Sequence, residues 1–104
     1  MNNRFFDQQR RALEWAVKKE LCKKGNVQAQ TLKLCEEVGE LVGAILKQRS
    51  TETRLEFGDV LVTLTILADQ LGLEFGDCLR RAVDKIESRT GQTIEGVFIK
   101  NESN

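Results

Sequence analysis

Five carboxylates are placed so that they could act together. Glu36, Glu37 and Glu40 fall within five positions of LCEEVGELVGAIL, and Glu56 and Asp59 stand three apart in LEFGDVLVTLTIL. On a helix, residues three apart are separated by about 60° of arc and residues four apart by about 40°, so Glu36, Glu37 and Glu40 crowd one stripe. Like charges at that spacing weaken an isolated helix by a few tenths of a kcal/mol per pair. The nearest cations, Lys33 and Lys47, flank the cluster. Fifteen residues separate Glu40 from Glu56, enough to finish one helix, turn, and bring the second acidic pair back beside the first. Four or five carboxylates meeting at one level of a helical hairpin are costly unless cations neutralise them.

What is absent narrows the choice of cation. Zinc sites favour imidazole or thiolate, and di-iron bundles use Glu-x-x-His motifs, whereas this chain has no histidine. All-oxygen ligands suit Mg²⁺ or Mn²⁺, and Mg²⁺ is commonly shared between carboxylates and substrate phosphates. The bland alternative is a set of surface charges on an amphipathic bundle, since acidic pairs at this spacing are frequent on helices.

The elements that must hold these residues are helical. Apolar residues recur at three- and four-residue steps in four segments, which predicts an all-α fold. The first runs from about residue 5 to 24, with Phe6, Leu13, Val17 and Leu21 on one face and Gly25-Asn26 as the stop. The second spans about 27 to 48, with Leu34, Val38, Leu41, Val42 and Ile45 inward. Ser50-Thr51-Glu52 offers a turn and N-cap for a third, about 51 to 71, with Leu55, Val62 and Ile66 inward and Gly72 at its end. A fourth, about 73 to 90, buries Phe75, Leu79, Ala82, Val83 and Ile86. Helices two and three, joined by a short polar link, should form an antiparallel hairpin. The tail, 91–104, carries one apolar patch, Val97-Phe98-Ile99, readable as a small strand or a docked arm. One domain over residues 1–104, with its helical core at about 5–90, accounts for the length.

Glu36-Glu37-x-x-Glu40 followed by Glu56-x-x-Asp59 resembles the EExxE…ExxD motif pair of the MazG-like all-α nucleoside triphosphate pyrophosphohydrolases. The second motif lies in EFGDVL, similar to the "E-x-G-D-[VL]-L" helix of that family, and VDKIESRTG resembles the segment that follows in small members. The likeness covers about residues 10 to 92. It implies a four-helix bundle completed by oligomerisation into a homodimer or homotetramer, and hydrolysis of (d)NTP to (d)NMP and pyrophosphate. Carried over, Glu37, Glu40, Glu56 and Asp59 are the Mg²⁺ ligands, and Glu36 is an outer partner or orients water. Larger members often have an asparagine two residues before a lysine on the last helix. Here the lysine is Lys85 and the asparagine position is Val83.

Other residues have two readings. Lys85 and Arg89, four apart on one helical face, suit phosphate oxygens, or else pair with Asp84 or Glu87. Trp15, the sole tryptophan, suits stacking on a nucleobase, or else a core or interface position. Lys18, Lys19, Lys23 and Lys24 suit attraction of phosphates to the site, or else the dipole at a helix C-terminus. Cys35 precedes the acidic cluster but lacks a histidine to activate it.

Sixteen basic residues balance sixteen acidic ones, which argues against a nucleic-acid partner or attraction to an anionic membrane. No apolar run approaches the roughly 20 residues of a membrane span. Three cysteines without CxxC spacing and an N-terminus without a signal-peptide core give the expectation of a cytoplasmic protein. The competing functional class is a non-enzymatic helical interaction module that offers its acidic face to a basic partner. A helix-turn-helix nucleic-acid binder lacks its basic recognition helix.

Overall fold

A computed structural model describes residues 4–101; residues 1–3 and 102–104, the ends of the expected single domain and of its tail, lie outside the described residues. Four α-helices dominate: α1 (Arg4–Lys18), α2 (Val27–Leu46), α3 (Ser50–Gln70) and α4 (Phe75–Glu87), with a 3₁₀ turn at Lys24–Asn26 before α2. Two short strands follow, β1 (Gly91–Ile94) and β2 (Val97–Lys100). The chain forms two compact units, one up to Leu73 and one from Glu74.

In the first unit α2 and α3 pack as an antiparallel hairpin, and α1 lies against α3. The ends of these helices are set by backbone geometry that glycine only partly announces. At α1 the left-handed residue is Glu20 (φ 59°), and the Leu21 N–H reaches the Ala16 carbonyl at 2.9 Å. At α2 it is Gln48 (φ 57°), with the Arg49 N–H on the Ala44 carbonyl at 3.1 Å. At α3 it is Gly72 (φ 68°), with the Leu73 N–H on the Ala68 carbonyl at 2.8 Å. Each is a Schellman closure, which satisfies carbonyls that the last turn would otherwise leave unpaired. The first helix therefore stops six residues before the expected residue 24, and Gly25-Asn26 belongs to the 3₁₀ turn. At the start of α3 the cap position is Arg49, which makes no side-chain cap, and Ser50 is already helical.

The segment between α1 and α2 is tied down from α3. Gln70, 3% exposed, donates its amide to the carbonyls of Leu21 and Lys23, both at 3.0 Å. Buried threonines of α3 are satisfied within the helix: Thr63 donates to the Asp59 carbonyl at 3.0 Å and Thr65 to that of Leu61 at 2.9 Å. These internal bonds let the run VLVTLTIL carry hydroxyls through a buried seam.

The rotation of α2 departs from the expected inward set. Its covered stripe is Leu34, Glu37, Leu41 and Ala44, while Val38, Val42 and Ile45 are 41%, 47% and 50% exposed. On α3, Ile66 and Leu67 are buried, Leu61 and Val62 are partly covered, and Leu55 is exposed. Ala16 is the fully buried residue of α1, where Phe6 and Val17 remain exposed.

The second unit starts at Glu74, whose carboxylate caps α4 by accepting from the Gly76 and Asp77 N–H groups at 3.0 and 2.6 Å. Phe75 is half-buried in it, whereas Leu79, Val83 and Ile86 are exposed. The tail resolves into an antiparallel hairpin, Gly91 opposite Lys100 through Ile94 opposite Val97. Its two-residue loop, Glu95-Gly96, takes positive φ at both positions (50° and 80°), as hairpins of right-twisted strands favour. Gly91 is obligatory there, because a Cβ would collide with the Ile99 carbonyl.

Candidate functional site

Glu37 occupies the middle of the covered stripe of α2, a position where an apolar side chain would ordinarily sit. It is 6% exposed. Glu36 and Glu40 flank it on the open side of the helix and are exposed. From α3, Glu56 comes in half-buried and Asp59 exposed, one turn apart. Carboxylate oxygens of Glu36, Glu37 and Glu40 lie within 4.8 Å of one another, and so do those of Glu37, Glu56 and Asp59. The two triads share Glu37.

Lys33, one turn earlier on α2, is a member of this cluster and not an outlying cation. Its Nζ lies 3.0 Å from a Glu37 oxygen and 3.2 Å from a Glu36 oxygen. Both contacts hold its pKa above the ordinary lysine value, the hydrogen bond to Glu37 foremost. One ammonium does not meet the needs of five acids. Oε2 of Glu37 and Oε2 of Glu56 are buried without a hydrogen-bond partner. Burial is the largest influence raising the pKa of the Glu56 carboxyl, followed by the hydrogen bond and charge of Glu40 and then the charges of Asp59 and Glu37.

Orphaned buried oxygens are rare in folded proteins, and each calls for a ligand or a strain argument. Here the donors are all hard oxygens, arranged in threes, with two lone-pair carriers facing inward and unused. That set fits a divalent cation of the Mg²⁺ or Mn²⁺ class. Glu37, Glu40, Glu56 and Asp59 are the residues that could hold it.

A cavity of about 440 Å³ opens beside the cluster, between the α2 face that carries Glu36, Gly39, Glu40 and Gly43 and the α3 face that carries Glu52 and Glu56. Lys47 and Arg49 line its end at the α2–α3 turn. A larger cavity, about 710 Å³, lies between α1 and α3 among residues such as Phe5, Ala12, Leu61 and Val62. Its lining contains no acid, so of the two only the smaller could take part in binding a cation.

The family model of the MazG nucleotide pyrophosphohydrolase domain matches residues 26–94, well over half of the chain. The chain belongs to the MazG family. The matched region takes in the whole α2–α3 hairpin with both acidic motifs, together with α4 and β1. An all-α domain agrees with the four helices, to which the structure adds the small β1–β2 hairpin. No curated protein and no solved structure matches the chain significantly. Among the described residues, no helix is long and apolar enough to cross a membrane.

The remaining candidates from the sequence are placed as follows. Trp15, 50% exposed on α1, precedes the MazG match and lines neither of these cavities. Lys85 is in the last turn of α4 and Arg89 follows the helix, both in the second compact unit. Their ion-pairing alternative is not realised among the described residues: Asp84 is taken by Arg80 at 3.2 Å. Arg80 and Arg81 also bind Asp77, lowering its pKa. Cys22, Cys35 and Cys78 are free thiols; burial, then Asp69, raises the pKa of Cys22.

The sequence reading missed three things at this site. It left Lys33 outside the cluster, did not single out Lys47 and Arg49 as cavity residues, and ranked the three glutamates of α2 without knowing which one faced inward. The one usable signal was periodic: Leu34, Glu37, Leu41 and Ala44 follow a strict seam spacing, with a glutamate where a leucine belongs.

Proposed function

We propose that this MazG protein hydrolyses nucleoside or deoxynucleoside triphosphates to the monophosphate and pyrophosphate in a Mg²⁺-dependent reaction, with Mn²⁺ as an alternative ion. The observation that carries the reading is the pair of carboxylate triads meeting at a buried Glu37, with two inward oxygens lacking partners. In this reading Glu37, Glu40, Glu56 and Asp59 hold the cation. A bound divalent ion supplies Lewis-acid polarisation of the phosphoryl oxygens and offsets the polyphosphate charge. The chain's own contribution is positional. Glu37 and Glu56 are fixed by burial in the seam, so their oxygens are oriented before substrate arrives. Glu36, exposed beside them and paired with Lys33, is proposed to orient the attacking water and take its proton. The water oxygen bonds to the α-phosphorus, the α–β bridging bond breaks, and pyrophosphate leaves with the bond electrons.

The assembly proposed is a homodimer or homotetramer, because Val38, Val42, Ile45 and Leu46 of α2 and Leu55 and Phe57 of α3 are left open to solvent. Light scattering is expected to give a mass of two or four chains; a stable monomer would count against this assembly. We also propose a cytoplasmic role in clearing nucleotide pools. Trp15 is proposed for base stacking, and Lys85 and Arg89 for phosphate contacts.

The test is incubation with a panel of nucleoside and deoxynucleoside triphosphates, with and without Mg²⁺, and separation of the products by ion exchange. Monophosphate and pyrophosphate formed only with metal is the expected result. Diphosphate and phosphate would overturn attack at the α-phosphorus. No turnover by folded protein would favour an acidic interaction face instead.

A further inference from the structure

Three features of the acidic cavity are not explained by holding a metal ion. The first is its polarity. Glu36, Glu40 and Glu56 line one part of it, while Lys47 and Arg49, together with the single acid Glu52, line the part where α2 turns into α3. Lys47 lies seven residues, about 10 Å of helix rise, beyond Glu40, and Glu36, Glu40, Gly43 and Lys47 follow one another on a single helical face.

The second is that these cations are available. Lys47 has no ion pair among the described residues. Arg49 has one, to Glu52 at 3.4 Å, with both side chains 56% exposed, a kind of pair worth little in water.

The third is the floor. Gly39 and Gly43 sit in the interior of α2, where each costs about 1 kcal/mol of helix stability relative to alanine. A Cβ at either position would meet nothing within 4 Å. The chain's own packing therefore does not require these glycines, yet both line the cavity. Side chains there would narrow the passage between the acids and the cations.

We propose that Lys47 and Arg49 bind the polyphosphate of the substrate, and that Gly39 and Gly43 keep the floor of the cavity clear for it. This rests on the reading of the acidic end as a metal-dependent phosphoanhydride site. A chain of phosphates held by divalent metal at the carboxylates extends toward the turn, where a guanidinium and an ammonium meet the oxygens farthest from the reacting phosphorus. Arg49 offers two parallel N–H donors to one phosphate, and Lys47 offers a point charge. The two residues thus act on binding and on the charge of departing pyrophosphate, and the glycines act on access.

The experiment uses the full-length protein with Mg²⁺ and inorganic tripolyphosphate as the calorimetric probe, followed by kcat and KM for the preferred nucleotide. Lys47→Ala and Arg49→Ala are each expected to weaken tripolyphosphate binding about tenfold, the double variant about a hundredfold, as loss of charge-assisted hydrogen bonds predicts. Lys47→Arg should recover most of the affinity. Melting temperature and its rise on adding Mg²⁺ alone should not change in these variants. Gly43→Ala should melt higher than the wild type and bind tripolyphosphate more weakly, which separates a cleared floor from a structural role. Tripolyphosphate binding within twofold of wild type in the double variant, or none by the wild type with Mg²⁺, overturns the proposal. Tight binding by the wild type that fails in the double variant, with no hydrolysis of any nucleotide, keeps the subsite and sinks the proposed reaction.

Discussion

Glu37→Gln is expected to lower kcat by about a thousandfold or more while leaving the helical circular dichroism unchanged. Glu37 is the one residue common to both carboxylate triads, so losing its charge weakens both groups at once. Glutamine has nearly the same volume and keeps one carbonyl acceptor, but its amide presents hydrogens to Glu36, Glu40, Glu56 and Asp59 in place of a shared cation. A loss of about 4 kcal/mol of transition-state stabilisation, in the range attributed to metal ions, corresponds to that factor. Glu40→Gln is likewise expected to abolish turnover. Glu36→Gln should be milder, because in the proposed reading Glu36 serves the attacking water and is not one of the residues that hold the cation. Steady-state kinetics at saturating Mg²⁺ decides the matter. Wild-type turnover by Glu37→Gln would remove this cluster from the chemistry.

A second large effect is expected on stability and needs no substrate. Of the five acids only Glu36 and Glu37 pair with Lys33, and two buried oxygens lack partners, so the protein carries electrostatic strain that a bound divalent ion would relieve. An ion that binds only the folded state stabilises by about 2.7 kcal/mol at a hundred times its Kd. At roughly 4–8 °C per kcal/mol for a domain of this size, the melting temperature should rise by about 10 °C or more with Mg²⁺ or Mn²⁺ and fall back when EDTA removes the ion. Glu37→Met should invert the pattern. Without metal it should melt above the wild type, since a buried carboxylate with an unmet oxygen is replaced by an apolar side chain at a seam position, a change worth about 1–3 kcal/mol. With metal it should show little further rise. A wild-type melting curve indifferent to both ions, with Glu37→Met less stable in their absence, would mean that the carboxylates are structural.

Much of this was legible before any coordinates. Helical spacing of apolar residues marks all four helices, with only the end of α1 missed by as much as six residues, because one face of each must be covered and period decides which residues share a face. The acidic motifs are likewise a matter of local geometry: three or four residues apart on one helix means one stripe, and a fifteen-residue return brings two stripes alongside. The lack of histidine narrows the donors to oxygen without reference to the fold. The helix ends were less legible, since Glu20 takes left-handed backbone ahead of the expected stop at Gly25-Asn26, and Gln48 takes it where no glycine marks the end. Such residues are ordinarily disfavoured there, and only the Schellman bonds and the packing beyond the helix hold them. The closing hairpin was open for a similar reason: Glu95-Gly96 is a weaker turn signal than Asn-Gly or Asp-Gly, and strand pairing depends on the partner segment.

The sequence alone determined which residues are acidic, how they are spaced and that they ride on paired helices. The tertiary structure decided which of them is buried. Val38, Val42 and Ile45 form as good an apolar stripe on paper as Leu34, Leu41 and Ala44, and only the fit of α2 against α3 selects the second, carrying Glu37 into the seam. It also decided that the turn after α2 returns Lys47 and Arg49 to the mouth of the same cavity. Periodicity gives the angular relation of residues on one helix; the rotation of two helices about each other is settled by packing between residues far apart in the chain.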